Sequence, residues 1–400
     1  MKICFLCNEY PPARHGGIGS MTRNLARGLA KVGHEVRVIG ISPPGENAPA
    51  FESDEDVQVW RLKFPTARLR WIFARREMFR IVQRWATCQM IDLVEIPDYE
   101  GLAARWPVLG IPVVARLNGS SSYFAAEAGR KPGRLTFSLE RSSLRRADFL
   151  CSSSHYTASR TRSLFRLKES PIQVLHNPVT TSVSASDVRR SKNQVVFTGT
   201  LTPKKGVLSL MGAWPMILRE RPDATLHIFG KDGRTAEGNS MREHLRASLP
   251  TAIRDSVRFY GHVDADRLKE ALRSARVAVF PSYAEAFALS PMESMAEGCP
   301  TIYSSRASGP ELIEDGRNGL LVDPDRPDEI ARAVVKVLQD DCLAETLGAA
   351  GKERVERNFS LSVLLSQNID FYTECLRSFA TLRDLPAPDA CRTEPVDENV

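Results

Sequence analysis

The sequence predicts an α/β protein built from two doubly wound domains in tandem. Two observations carry this prediction. Short apolar runs alternate with amphipathic helical segments, a pattern typical of parallel sheets covered by helices on both faces. The alternation stops at a serine-rich stretch near residues 180–193 and then begins again. A chain of 400 residues is long enough for two domains of ordinary size.

The first domain is predicted to span residues 1–180, followed by a linker at residues 181–193. Its apolar runs have the length of buried strands, and the segments between them have helical periodicity. The predicted strands cover residues 2–7, 35–41, 93–96, 112–117 and 148–153, and the predicted helices cover residues 17–32 and 69–90.

The second domain is predicted to span residues 194–359. Its predicted strands cover residues 194–198, 224–229, 257–260, 277–280 and 301–304, and its predicted helices cover residues 206–219 and 264–274. An amphipathic helix is predicted at residues 360–378. The polar, proline-containing segment 382–400 has too few apolar residues to form a core, so it is predicted to be disordered.

Two glutamates, Glu285 and Glu293, stand eight positions apart just after the apolar run at residues 277–280. Glu285 follows the predicted strand, and Glu293 falls inside the helical segment behind it. Ligands of open α/β sheets bind at the carboxyl ends of the strands, where each carboxylate can accept hydrogen bonds from two sugar hydroxyls. From these residues alone, a pair of solvated surface carboxylates is an equally good interpretation.

A glycine-rich loop containing Gly16, Gly17 and Gly19 follows the first predicted strand and opens a helix. Its backbone can approach a ligand closely, and the helix N-terminus offers free N–H groups to an anion. The spacing differs from the G-x-G-x-x-G pattern of dinucleotide-binding proteins, and no acidic residue closes the next strand. The loop predicts a phosphate site, with a purely structural turn as the alternative.

A second basic loop, GTLTPKKG at residues 199–206, ends the first strand of the second domain. Lys204 and Lys205 lie between a proline and a glycine at the start of a predicted helix. A lysine is a suitable point charge for a diphosphate. The alternative is a solvated basic loop.

Taken together, these segments resemble the family 4 glycosyltransferases of the GT-B fold, in which two Rossmann-like domains face a cleft. The similarity covers about residues 1–378. It rests on GGIGSM, IPVVARLNGSS, VLHNPV, GTLTPKKG, GHV, the two glutamates with AEGCPTI behind them, and SGPELIEDGRNGLLVDP. The resemblance implies retaining transfer of a sugar from a nucleotide-sugar donor held mostly by the second domain. It also implies that residues 360–378 pack back onto the first domain.

The resemblance also implies roles for individual residues. Glu293 would bind the ribose hydroxyls, and Glu285 would contact the donor sugar near the reacting carbon. The backbone of Phe287, Ala288 and Leu289 would hold the sugar and the diphosphate. Electrostatic stabilisation of the leaving diphosphate would come from side chains and amides of the two loops, namely Lys205 with Lys204, and Gly17 with Gly16.

Two positions depart from the family pattern. Thr200 stands where the family commonly has an arginine on the diphosphate, and Lys204 or Arg14 is the candidate substitute. Asn118 stands where the family commonly has a histidine. Its amide can form hydrogen bonds with a sugar hydroxyl but cannot carry a proton. Asn118 is kept as a catalytic candidate beside Glu285 and Lys205, and Thr200 as a donor-binding candidate.

The first half of the chain is basic. Residues 1–180 carry 26 Lys and Arg against 16 Asp and Glu, and eight of those basic residues lie between residues 61 and 85, interleaved with aromatic residues that include Trp71, Phe73, Phe79 and Trp85. A basic amphipathic helix of this kind can lie on an anionic membrane surface. A domain helix with a solvated basic face and buried aromatics is the competing interpretation. Nucleic acid is not expected, because no recognised binding motif accompanies the charge.

The N-terminal segment lacks the pattern of a signal peptide, and no stretch has the length and hydropathy of a membrane span. We therefore expect a cytoplasmic protein, with any membrane contact peripheral and on the inner face. No metal-ligand cluster stands out, so neither a metal nor a cofactor is expected. The resemblance favours a UDP-sugar over a GDP-sugar as the donor, and a glycan or lipid-linked acceptor in cell-surface polysaccharide or glycolipid synthesis.

Three other functions remain open at the level of the sequence. A dinucleotide-dependent oxidoreductase is disfavoured by the glycine spacing. Another GT-B enzyme, such as a sugar-nucleotide epimerase, would act on the donor without an acceptor. A non-catalytic protein that binds nucleotide sugars is suggested by Thr200 and Asn118.

Overall fold

The computed structural model describes residues 1–13, 16–43, 45, 47–63, 70–167, 171–181 and 190–382. Two largely parallel sheets dominate it, one in each half of the chain. Each sheet has a separate apolar core on each of its two faces. This is the α/β architecture of two doubly wound domains that the sequence predicts.

The first sheet has eight strands in the order β3-β4-β2-β1-β5-β6-β7-β8, and all neighbours are parallel except the hairpin β3–β4. The strands are β1 (Lys2–Leu6), β2 (Glu35–Ile41), β3 (Phe51–Asp54), β4 (Val57–Leu62), β5 (Leu93–Pro97), β6 (Val113–Leu117), β7 (Phe149–Ser152) and β8 (Ile172–Val174). The helices of this half are α1 (Gly17–Lys31), α2 (Arg70–Thr87), α3 (Ser121–Glu127), α4 (Arg134–Arg146) and α5 (His155–Phe165).

The second sheet has six parallel strands in the order β11-β10-β9-β12-β13-β14. They are β9 (Gln194–Thr198), β10 (Thr225–Phe229), β11 (Val257–Gly261), β12 (Val277–Phe280), β13 (Thr301–Ser304) and β14 (Leu320–Val322). The helices are α6 (Val207–Glu220), α7 (Met241–Ser248), α8 (Ala265–Ser274), α9 (Leu289–Ala296), α10 (Gly309–Leu312), α11 (Pro327–Gln339), α12 (Asp341–Asn358) and α13 (Leu361–Leu382), with 3-10 turns at Pro203–Lys205 and Thr251–Ser256.

The central strands are buried along their whole length because both of their faces are covered. Every residue of β5, β6, β12 and β13 is buried. In β9, Val195 and Phe197 belong to one core and Val196 to the core on the opposite face. Successive side chains of a strand point to opposite faces, so a continuous apolar run is what a doubly covered strand requires.

The strands and helices predicted from the sequence are all present, with bounds that differ by only a few residues. The predicted terminal helix corresponds to α13, which extends further than predicted, to Leu382. Most of the predicted linker and nearly all of the segment 382–400 lie outside the described residues. The limits of the two domains therefore stay predictions.

Helix α13 packs against the first half of the chain. A Cβ placed on Gly28 of α1 would lie 3.4 Å from methyl carbons of both Leu361 and Leu365. A polar link is made by Arg116, which is only 2% exposed and whose guanidinium donates to Asn368 Oδ1 at 2.6 Å. The chain thus returns to its first domain after completing the second.

The basic segment at residues 61–85 has a mixed environment, so neither interpretation accounts for all of it. On α2, Trp85 is 6% exposed and packs against Trp60, and Phe79 packs against Trp106. By contrast, Trp71 and Phe73 are 38% and 58% exposed. Residues 64–69 of the segment lie outside the described part of the chain.

Candidate active site

The candidate site lies where the second sheet reverses its strand order. Strand β9 stands between β10 and β12, so the connections leaving β9 and β12 run to opposite sides and open a crevice at their carboxyl ends. The loop after β9 carries Lys204 and Lys205, and the loop after β12 carries Glu285. These two loops touch through Gly206, which has φ +71°, and a Cβ there would lie 1.7 Å from the carbonyl oxygen of Pro281. Only glycine fits this contact.

Lys205 and Glu285 form an ion pair across the two loops, with Lys205 Nζ 2.6 Å from Glu285 Oε1. Burial raises the pKa of the Glu285 carboxyl, but the ammonium groups of Lys205 and Lys204 outweigh that effect and leave the pKa below its usual value. The carboxylate is therefore charged at neutral pH. The pair places a cation and an anion side by side at the edge of the sheet.

Lys204 reaches from the second domain to the first. Its Nζ lies 3.6 Å from the centre of the Phe124 ring on α3, a cation–π contact. Burial lowers the pKa of this ammonium, although Glu285 partly restores it. Its main-chain carbonyl also accepts a hydrogen bond from the amide of Tyr283. Lys204 therefore joins the two domains next to the Lys205–Glu285 pair.

Two helix N-termini from different domains meet at the same crevice. Helix α9 begins at Leu289 after Ala288, and α1 begins at Gly17 after Gly16; neither preceding residue has a side chain that can cap the helix. A Cβ on Gly17 would lie 4.0 Å from Leu289 Cδ1, so the two helix starts are in near contact. Each N-terminus carries a partial positive charge that favours an anion by about 0.3–1 kcal/mol. The amide of Gly16 donates to Glu9 Oε2 at 3.1 Å.

The remaining predicted residues differ in their surroundings. Glu293 lies on α9 and is partly buried; burial raises the pKa of its carboxyl, against the lowering effect of Lys205 and Lys269. Thr200 is exposed. Arg14, its suggested substitute, lies outside the described residues.

Asn118 is 7% exposed and sits at the carboxyl end of β6 in the first sheet. The main-chain N–H groups of Asn118 and Gly119 donate to the two carboxylate oxygens of Asp98, at 3.1 and 3.0 Å. Among the described residues, nothing hydrogen-bonds to the side-chain Oδ1 of Asn118, although that atom is buried. An unsatisfied buried acceptor is costly in the absence of a ligand. Burial raises the pKa of Asp98 to about 7.

A set of first-domain side chains that sequence reasoning did not identify holds the carbonyls of residues 285–287. Ser154 Oγ and Thr157 Oγ1 donate to the Ala286 carbonyl at 2.7 and 3.1 Å. Asn177 Nδ2 donates to the Phe287 carbonyl at 2.9 Å, and Tyr123 Oη to the Glu285 carbonyl at 3.4 Å. Because the C=O and N–H of a trans peptide point in opposite directions, the following amides are directed away from these side chains.

A second brace between the domains involves Glu311 on α10. Its carboxylate accepts hydrogen bonds from the amides of His155 and Tyr156, both at 2.8 Å. These are the first two residues of α5, so a carboxylate of the second domain caps a helix of the first. The stacking of His176 on Phe287, with ring centres 4.4 Å apart, adds an apolar contact at the same boundary.

Comparison with known families identifies the chain. Residues 15–183 match the family model "Glycosyltransferase Family 4", and residues 192–340 match the model "Glycosyl transferases group 1". The chain belongs to the family 4 glycosyltransferases. The two matches together span most of the chain, so this glycosyltransferase is an enzyme of the class that the sequence motifs predict.

Relatives of similar length support the assignment. The glycosyltransferase is 28% identical to an uncharacterized glycosyltransferase of Methanocaldococcus jannaschii, over 93% of this chain and 98% of the relative. It is 25% identical to a glycogen synthase of Mycobacterium tuberculosis, over 94% and 95% of the two chains. It is 27% identical to a GDP-mannose-dependent alpha-(1-6)-phosphatidylinositol monomannoside mannosyltransferase of the same organism, over 92% and 97%.

Solved structures confirm the fold. Sucrose-phosphate synthase from Thermosynechococcus elongatus superimposes with a TM-score of 0.76 at 21% identity, over 94% of this chain and 99% of the other. The Anabaena protein HepE in complex with UDP superimposes with a TM-score of 0.72 at 16% identity, over 94% and 100%. The glycosyltransferase therefore has the GT-B fold.

The described residues contain neither a metal-ligand cluster nor a helix that could span a membrane. Within the described ranges, no group of three or more His, Cys, Asp and Glu residues could hold a metal ion. None of the described helices combines the length and the apolar character that crossing a membrane demands. The expectations of metal-free activity and of a cytoplasmic location stay predictions.

Proposed function

We propose that this glycosyltransferase moves a sugar, with retention of configuration, from a nucleoside-diphosphate sugar to a glycan or lipid-linked acceptor. The observation that carries the proposal is the Lys205–Glu285 ion pair at the switch point of the second sheet, beside the N-termini of α1 and α9. Cations, free amides and a charged carboxylate are the groups that a glycosyl diphosphate needs.

Donor cleavage builds negative charge on the leaving diphosphate and positive charge on the sugar. The bond between the anomeric carbon and the phosphate oxygen breaks, and its electron pair goes to the diphosphate. Lys205 and the N-terminal amides of α1 and α9 would stabilise that charge, because fixed dipoles and a nearby cation need no reorganisation. The acceptor hydroxyl oxygen forms the new bond to the anomeric carbon, and its proton goes to the departing diphosphate oxygen, which has gained the electron pair.

Glu285 and Glu293 would place the donor. Glu285 is charged and borders the crevice, so it can accept hydrogen bonds from sugar hydroxyls while it orients Lys205. Glu293 follows eight residues later on α9, whose N-terminus borders the same crevice. We assign it to the ribose hydroxyls. A proton-transfer role is not assigned to either residue.

The base of the donor and the acceptor are matters for experiment. One relative is named for its GDP-mannose dependence, and one structure of the same fold holds UDP. A UDP-sugar remains the first expectation. We extend the proposal to synthesis of a cell-surface polysaccharide or glycolipid, a role suggested by the phosphatidylinositol mannoside acceptor in the relative's name.

The proposal is tested by nucleotide release from a panel of UDP- and GDP-sugars with the purified protein. Slow hydrolysis of one donor is expected, together with its loss in Glu285→Gln. The matched control is Glu270→Gln, which removes the same charge from an exposed position on α8. Release that is equal in wild type and Glu285→Gln would contradict the assignment of the site.

Asn118 favours a second candidate, a protein that binds nucleotide sugars without turning them over. Its amide cannot carry the proton that the family's histidine could, yet its buried Oδ1 has no partner among the described residues and can bind a hydroxyl. This candidate predicts donor binding by calorimetry with no nucleotide release in the presence of any acceptor. Release that appears in Asn118→His would support it, whereas release by the wild type excludes it.

An epimerase would be revealed by product analysis in the same assay. Such an enzyme converts the donor into a different nucleotide sugar and transfers nothing to an acceptor.

A further inference from the structure

An open groove of about 480 Å³ lies on the first domain, outside the crevice described above. It runs between α4 and the turn that follows β5. We call it the arginine groove, and its lining residues are Arg105, Ser138, Arg141, Ser142, Arg145 and Arg146. All of these except Arg105 lie on α4. Ser138 is followed by Arg141 and Ser142, and these are followed by Arg145 and Arg146, a spacing of three or four residues that puts all five on one side of the helix.

The protein neutralises little of the positive charge of this groove. Among the described residues, the one ion pair made by its four arginines joins Arg146 Nη1 to Asp148 Oδ1, at the long distance of 3.9 Å. Four guanidinium groups around one groove repel each other. A ligand that carries negative charge would relieve this repulsion.

Two of the four guanidinium groups are held in place by main-chain carbonyls. Arg141 Nε donates to the Phe165 carbonyl at 3.2 Å, and Arg146 donates from Nε and Nη2 to the Pro107 carbonyl at 3.1 and 3.0 Å. An arginine has five N–H donors, so each keeps others for a ligand. Ser138 and Ser142 add hydroxyl groups, although Ser142 Oγ already accepts from the Arg105 amide.

The arginine groove is distant from the Lys205–Glu285 pair. Helix α5 begins at the crevice, where Glu311 caps it, and ends at Phe165, whose carbonyl binds Arg141. Its 11 residues span about 15 Å at 1.5 Å per residue. The diphosphate of a donor bound at Lys205 therefore does not also fill the groove.

We infer that the arginine groove is a second anion site, which binds phosphate esters independently of the donor. Guanidinium groups match phosphate oxygens in geometry and charge, often with two parallel hydrogen bonds. Leu135, on α4 three residues before Ser138, and Val108, just after Pro107, are 62% and 58% exposed and lie close along the chain to residues of the groove. A cationic groove beside exposed apolar side chains fits a phosphate carried by a lipid headgroup as well as one carried by a soluble molecule.

The test compares two pairs of substitutions that remove the same charge. Arg105→Gln with Arg145→Gln changes two exposed lining residues. Arg130→Gln with Arg134→Gln changes two exposed arginines nearby that do not line the groove. Binding is measured to phosphatidylcholine vesicles that contain phosphatidic acid, and, by calorimetry, to inorganic pyrophosphate. The wild type and both double variants keep the crevice, so any pyrophosphate bound there contributes equally to all three. A difference in pyrophosphate binding between them therefore comes from the groove.

The groove pair is expected to weaken vesicle binding about 30-fold, since each arginine near an anionic surface contributes about 1 kcal/mol. The control pair is expected to change it less than threefold. Selective loss of vesicle binding identifies a lipid headgroup, and selective loss of pyrophosphate binding identifies a soluble phosphate ester; either supports the site. Equal losses in both pairs, or no binding to either probe by the wild type, overturn it. None of these outcomes depends on the donor assay.

Discussion

Replacing Lys205 with methionine separates the structural role of the Lys205–Glu285 pair from its proposed catalytic role. The substitution keeps an unbranched side chain one atom shorter than lysine and removes its charge. Glu285 then loses a cation at 2.6 Å while its side chain stays 90% buried, and Lys204 remains as a second cation that lowers the pKa of its carboxyl. If Lys205 stabilises the leaving diphosphate, donor turnover falls in this variant. If the ion pair stabilises the fold, the free energy of unfolding falls as well.

The two magnitudes can be worked separately. Breaking a fully buried ion pair costs about 3–5 kcal/mol. Lys205 is 22% exposed and Lys204 remains, so we expect Lys205→Met to lower the free energy of unfolding by about 2 kcal/mol. A hydrogen bond to a charged group contributes about 1.5–3 kcal/mol, so kcat/KM for the donor should fall roughly 10- to 150-fold.

The double variant Lys205→Met with Glu285→Gln decides between the roles. It no longer contains an unpaired buried carboxylate, so its free energy of unfolding should return to within about 1 kcal/mol of the wild type. Its donor turnover should stay low. The measurements are denaturant unfolding and nucleotide release from the donor found in the panel. Turnover in Lys205→Met within threefold of the wild type would refute the proposed role, and a double variant less stable than either single variant would refute the ion-pair reasoning.

The pH dependence gives a further check on the same variant. The ion pair lowers the pKa of Glu285, so its stabilisation is present above the unfolded pKa of about 4.3 and is lost as the pH falls through the folded value. The stability difference between wild type and Lys205→Met should therefore be full at pH 7 and shrink in acid below about pH 4. A difference that grows on acidification would contradict this.

Three other changes have defined outcomes. Glu293→Ala should lower kcat/KM for the donor roughly 10- to 150-fold, and an unchanged value in the release assay would remove this residue from the site. Glu311→Ala removes the acceptor of the first two amides of α5, while Ser154 still accepts from the Thr157 amide, and should lower the free energy of unfolding by about 1 kcal/mol. Glu345→Ala, at an exposed position on α12, should not lower it, as denaturant curves will show. Asp98 has a pKa raised to about 7 by burial, so its contribution to stability is present in acid and is lost as the pH rises through that value. Between pH 5 and pH 8 the wild type should lose about 2–3 kcal/mol more than Asp98→Asn, and parallel pH profiles would exclude a neutral Asp98.

Local patterns in the sequence predict ten of the fourteen strands in the described part of the chain, and they also predict where the second-domain loops begin. The apolar run at residues 277–280 places Glu285 just beyond a strand, and the helical segment behind it contains Glu293, as the structure shows. The hairpin β3–β4 was missed for a local reason. Its turn contains Glu55 at φ +56°, so the glycine or asparagine that usually marks such a turn is absent.

The braces between the domains could not be predicted from the sequence, because their partners are far apart along the chain. Glu311 caps a helix that begins 156 residues earlier, and Ser154 binds a carbonyl 132 residues later. Serine, glutamate and asparagine occur throughout the chain, and only the arrangement of both sheets makes these particular ones partners. The arginine groove could not be predicted from the sequence either. Arg105 and α4 are separated along the chain by β6, and they come together only in the folded domain.

The link between Arg116 and α13 has a consequence for the order in which the protein can fold. Arg116 is buried in the first sheet with Glu95, and the Tyr372 hydroxyl donates to that carboxylate at 2.6 Å from 277 residues further along. During synthesis, the Arg116–Glu95 pair therefore lacks its hydrogen-bond partners on α13 until the whole second domain has been made. Throughout that interval the buried Arg116 and Glu95 of the first domain lack part of their hydrogen bonds. If synthesis stops before residue 368, those hydrogen bonds never form. Completion of the first domain thus reports that nearly all of the chain has been translated.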